Sequence, residues 1–204
     1  MASEKNQSFV VENGVTLGVI VLALFVIFAV GLPRWIGSDD TDGTTSTTSQ
    51  AAKTPVTLPA KVSTTFLPAE DAATWSDAVK SKVLTQQEAT SIQQQAQQMR
   101  TAAEKNVKTL GTQAAIKMYI DVKAKEFLVV TAVRSRDAFL QGLTGTLQKV
   151  GSSFCQSGQL SSGGSAVDCT RTADDLTVEI QAQGGTPSTA AVAKYVDEVW
   201  DKVA

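Results

Sequence analysis

The chain is 204 residues long, 43% hydrophobic and 19% charged, with a formal net charge of −2. That balance argues against both a polybasic nucleic-acid binder and a strongly acidic tail protein. It contains no histidine and two cysteines, which excludes Ser-His-Asp and Cys-His catalysis, histidine-ligated zinc and thiolate-only metal centres.

The first element is an apolar run from Val15 to Pro33, nineteen residues without a charge. As a helix it would measure about 28 Å, close to the thickness of a hydrocarbon core. Val, Ile, Leu and Phe fill every face, as suits lipid, and Arg34 with Trp35 supplies interfacial anchors. A cleaved signal would need a basic leader, whereas Lys5 stands here against Glu4 and Glu12. Residues 1–14 are therefore expected to be a short cytoplasmic N-terminus and 15–36 a single uncleaved transmembrane helix in the plasma membrane. Asp39, Asp40, Asp42 and both cysteines lie downstream, which places the bulk of the chain on the extracytoplasmic, oxidising side.

Residues 37–71 read as a flexible linker. They carry Thr44-Thr45-Ser46-Thr47-Thr48-Ser49 and three prolines, Pro55, Pro59 and Pro68. Few large apolar residues are available there to offset the entropy of ordering. A coil of that length spans on the order of 30 to 35 Å.

An α+β domain is expected over 72–204. Thr85 and Glu88 have capping-box spacing, and Ala89, Ile92, Ala96, Met99, Ala103, Val107 and Leu110 follow at helical spacing up to Gly111. The period then changes to two: Ile116, Met118, Ile120 and Val122 alternate with Lys117, Tyr119, Asp121 and Lys123. A turn over 123–126 leads to the apolar strand 127–133. With that turn, Ile120 pairs with Leu128, Met118 with Val130 and Ile116 with Ala132. The face carrying Tyr119, Phe127, Val129, Thr131 and Val133 then needs a cover, which either the 86–110 helix or a partner would provide. A helix from Asp137 to about Val150 is expected next, followed by strands near 153–156, 167–170 and 176–182. Gly184-Gly185 breaks the chain, and Thr186-Pro187 opens a last helix with Val192, Tyr195, Val196, Val199 and Val203 on one stripe. The α-β-β-α-β-β-α order predicts helices packed on a mainly antiparallel sheet of four or five strands.

Cys155 and Cys169 lie fourteen positions apart around a Gly/Ser-rich loop. Neighbouring antiparallel strands would set them opposite each other as a structural disulfide. Nucleophile-elbow, Walker and dinucleotide motifs are missing from the sequence, so neither a catalytic residue nor a cofactor is expected. Gly142-Leu143-Thr144-Gly145 has the form of a KH loop, but an extracytoplasmic domain has no use for one. Asp174-Asp175 reads as a turn; with Asp168 it offers carboxylates to Ca²⁺, without EF-hand spacing. Lys117, Lys123, Lys125, Arg134 and Arg136, with the apolar Tyr119, Phe127 and Val129, form a candidate partner-binding set on the first hairpin.

The run Cys169-Thr170-Arg171-Thr172-Ala173-Asp174-Asp175-Leu176-Thr177-Val178-Glu179-Ile180 follows Phe154-Cys155 and precedes Tyr195-Val196-Asp197-Glu198-Val199-Trp200. Over roughly the last sixty residues it resembles the C-terminal part of small membrane-anchored envelope proteins of actinobacteria, as do the Thr-rich stalk and the lack of histidine. The resemblance implies a location and a fold type and carries over no site residue. The expected function is a non-enzymatic, membrane-anchored domain that binds or supports an envelope protein complex or an anionic envelope surface. The alternative is a carrier or sensor that takes a lipid or small apolar ligand between helix and sheet.

Overall fold

The computed structural model describes residues 55–109, 113–134, 146–159 and 165–204. In chain order these form strand β1 (Leu67–Pro68), helices α1 (Ala72–Lys80) and α2 (Gln86–Thr109), and strands β2 (Ala114–Asp121) and β3 (Glu126–Val133). Strands β4 (Gln148–Val150), β5 (Ser153–Gln159), β6 (Ser165–Ala173) and β7 (Leu176–Gly184) follow, and helix α3 (Thr189–Val203) closes the chain. The strands make one antiparallel sheet of seven, in the order β1-β2-β3-β7-β6-β5-β4. The sheet exceeds the expected four or five strands because its two edges are short strands without a clear alternation of their own.

Local chemistry explains most of the boundaries. Thr85 and Glu88 close the predicted capping box: the Glu88 carboxylate accepts the Thr85 N–H at 2.7 Å, and the Thr85 hydroxyl accepts the Glu88 N–H at 3.2 Å. The hairpin β2–β3 turns on Asp121, whose Oδ1 accepts the N–H groups of Lys123 and Ala124. β4 turns into β5 at Gly151, where φ is +59°, a two-residue hairpin turn that favours glycine. Residues 148–150 are thus strand rather than the end of a helix, and 146–147 before them are not helical either; residues 137–145 of the expected helix lie outside the described residues. The last helix starts later than Thr186-Pro187 suggests. Its cap is Ser188, whose hydroxyl oxygen accepts the Ala191 N–H at 3.2 Å.

The hairpin register differs from the expected one by a single residue. Tyr119 faces Leu128 and Ile120 faces Phe127, because the turn occupies 122–125 and Asp121 pairs with Glu126. A slip of one moves a whole side-chain set to the other face. Ile116, Met118 and Ile120 therefore share a face with Phe127 and Val129, and this face is covered by Trp75 and Ala78 of α1 and Ala89, Ile92 and Ala96 of α2. The helix stripe's Met99, Ala103, Val107 and Leu110, and Gly111 beyond them, lie outside the described side chains.

The opposite face belongs to α3. Val192, Val196, Val199, Trp200 and Val203 pack on Leu128, Val130, Val167, Leu176, Val178 and Ile180. Arg171 reaches across to Asp197 at 2.8 Å and lies 4.4 Å from the centre of the Trp200 ring. The result is three layers, helix–sheet–helix.

The segment 55–71 corrects the linker boundary. Leu58, Val62 and Phe66 are buried in the same core as α3, and Ala69 is buried beneath α1. Apolar residues spaced about four apart between the prolines were enough to anchor it. The packed domain thus begins by residue 55; residues 37–54 lie outside the description, as do 1–36 with the expected membrane span. Among the described residues no helix is long and apolar enough to cross a membrane.

Candidate functional site

One half of the sheet is unlike the rest. β3 is apolar on both faces, in keeping with a strand covered by helices on either side. β7, β6 and β5 instead alternate. Their apolar residues, Leu176, Val178, Ile180, Val167 and Cys155 among them, point to α3. Their other face carries Thr177, Glu179, Gln181 and Gln183 from β7, Asp168, Thr170 and Thr172 from β6, and Phe154 and Gln156 from β5. This is the same face that α1 and α2 cover over β2 and β3.

Register brings the polar groups together. Asp168 stands opposite Gln181 on one side and Gln156 on the other, and Glu179 stands opposite Thr170. Asp168 and Glu179 are diagonal neighbours that hydrogen-bond through their carboxyls. Burial, then the charge of Asp168, then that hydrogen bond hold Glu179 well above the usual carboxyl range. Burial likewise raises Asp168 to about 6, against the lowering effect of hydrogen bonds from Glu179 and Gln156. The pair shares one proton near neutral pH, with Glu179 donating to an ionised Asp168.

Among the described residues, four oxygens on this face are shut off from solvent without a hydrogen-bond partner: Asp168 Oδ1, Glu179 Oε2, Thr170 Oγ1 and Gln183 Oε1. Thr170 and Gln183 are 3% and 1% exposed. Gln183 uses its amide nitrogen on Gln181 Oε1 at 3.2 Å. Phe154, at 47% exposure, stands beside Thr170 at the outer end of the patch. Unpaired buried oxygens are uncommon and costly.

The disulfide lies directly behind this patch. Cys155 and Cys169 are register partners with Cα atoms 4.1 Å apart, bonded as the sequence predicts, and fully buried against α3.

The hairpin set does not form a surface. Tyr119, Phe127 and Val129 are buried, the first on the α3 side and the other two beneath α1 and α2. Lys117 is half-buried with its ammonium 5.9 Å from the Tyr119 ring centre, and Arg134 is held by the Val203 carbonyl and Asp175. Lys123 and Lys125 are exposed in the turn, and Arg136 lies outside the described residues. The one-residue register shift is the physical reason: it sends Tyr119 into one core and Phe127 and Val129 into the other. Asp174 and Asp175 sit at the β6–β7 turn, at the end of the strand from Asp168.

Sequence reading missed the Asp168–Glu179 pair because eleven positions separate the two acids in the chain. The available signal was the clean alternation of 176–182, which puts Glu179 opposite the apolar side, combined with the hairpin turn at Asp174-Asp175. No family model, curated protein or solved structure matches the chain.

Proposed function

We propose that this chain is a non-enzymatic domain, anchored by the apolar segment 15–36 and held outside the plasma membrane, where it binds another envelope component. The observation that carries the reading is the buried Cys155–Cys169 bridge. A structural disulfide belongs to an oxidising compartment, and a nineteen-residue uncharged run upstream of the domain supplies the means of staying attached there. The polar half-face over β5, β6 and β7 is the surface assigned to the bound component, in place of the first hairpin. Its half-buried Gln156, Thr172 and Gln181 offer directional hydrogen bonds, and Phe154 adds an exposed apolar contact beside them.

A non-enzymatic role fits the carboxyl pair. A proton-sharing dyad can activate water, but here an oxygen of each acid is closed to solvent, so the pair is not presented to a substrate.

The anchoring is tested by membrane fractionation. The full chain should stay with membranes through alkaline carbonate extraction, and deletion of 15–33 should release it. Extraction of the intact chain by carbonate would refute the anchor.

A further inference from the structure

We propose that Asp168, Thr170 and Glu179 form a binding site for one hard divalent cation of the Ca²⁺ class, on the face of the sheet opposite the disulfide. The first ground is chemical. The orphaned groups on this face are all oxygens, namely two carboxyl oxygens, a hydroxyl and an amide carbonyl. Oxygens without donors call for a positive occupant, and hard cations take carboxylate, hydroxyl and carbonyl ligands. The second ground is geometric and independent of the acids. Thr170 is nine-tenths buried and directly opposite Glu179 in the register, and its hydroxyl has no partner. Alternation along β6 puts it on the same face as Asp168.

The groups acting on the two carboxyls are each other and Gln156. Without a cation they relieve their repulsion by sharing a proton. A cation replaces that proton: the Glu179 O–H loses H⁺ to solvent, and both acids then face the metal as carboxylates. Among the described residues no third acid or cysteine joins them. Two negative charges with neutral oxygens make a weak site, with Kd in the range of roughly 10⁻⁴ to 10⁻³ M found in extracellular modules. The inference does not depend on the membrane anchor or on a partner.

The test is calorimetric titration of CaCl₂ into the full chain in detergent, at constant ionic strength. The expected result is saturable binding of one Ca²⁺ per chain. Asp168→Asn and Glu179→Gln should each weaken binding by about tenfold or more, and Asp174→Asn should leave it unchanged. Thr170→Val, which keeps side-chain volume, should weaken binding while preserving the fold, and it decides the matter where an acid variant does not fold. Absence of saturable binding to the wild-type chain would overturn the site. So would wild-type affinity in Glu179→Gln or Thr170→Val.

Discussion

The hydroxyl of Tyr119 donates a 2.6 Å hydrogen bond to the carbonyl of Pro59, sixty residues earlier in the chain. Burial, then the nearby Glu70, raises the Tyr119 pKa, so the phenol keeps its proton and remains a donor. The bond ties the 55–66 segment onto β2, and Leu58, Val62 and Phe66 then complete the core shared with α3. A fragment of residues 55–204 should therefore melt cooperatively, and one of residues 72–204 should lose that transition or show it at a much lower temperature. Tyr119→Phe should cost about 1 kcal/mol, the usual worth of one such bond. Equal melting of the two fragments by circular dichroism would remove the segment from the core.

Val129 is 5% exposed, packed between β3 and the helices α1 and α2. Val129→Glu places a carboxylate there without a partner and should cost roughly 3 kcal/mol or more. The full chain should lose its cooperative thermal transition. Normal melting with loss of co-purifying proteins would instead mean that this face is a partner surface.

How much of this was legible in the sequence depends on whether the signal was local. The capping box at Thr85, the alternation of 176–182 and the facing cysteines all rest on short-range patterns, and they hold. The hairpin register did not follow from pattern, because β3 is apolar on both faces and either register buries six apolar groups. Turn geometry settles it: the Asp121 side chain caps the turn and makes Asp121–Glu126 the closing pair. The Asp168–Glu179 pair needed that kind of cross-strand information too. α1 was missed because its nine residues carry only Trp75 and Ala78 as a buried apolar pair, which is too short a stripe to register against a proline-rich approach.

Two glycines give a contrast that tests the backbone account. Gly184 ends β7 at φ +77°, and a Cβ there would collide with the Lys125 carbonyl across the β3–β7 ladder. A Cβ on Gly158 would meet nothing within 4 Å. Gly184→Ala should lower the melting temperature sharply, since it adds both left-handed strain and a clash with rigid backbone. Gly158→Ala should be close to neutral. Similar melting temperatures for the two variants would contradict the β3–β7 pairing.

The carboxyl pair sets a direction for stability against pH. Both acids titrate higher in the folded chain than their unfolded values of about 4. The folded state therefore holds more protons, and the pair's contribution to stability falls as pH rises from about 4 through 6 and beyond. Below about pH 4 folded and unfolded chains are alike protonated and the penalty vanishes. Glu179→Gln keeps an N–H donor for Asp168 but removes one ionisation. In chelator, its melting temperature relative to wild type should increase steadily from pH 4.5 to 7.5. A difference that stays flat or shrinks over that range would contradict the shared-proton pair.

The central claim is that the disulfide-bonded domain stands outside the cell on a single membrane anchor. The most direct measurement is the reach of an external protease to an epitope placed after Ala204, the exposed last residue beyond α3. In intact cells the account predicts loss of the epitope without permeabilisation, while a cytoplasmic marker stays whole. Survival of the epitope until the membrane is opened would put the domain inside and contradict the claim.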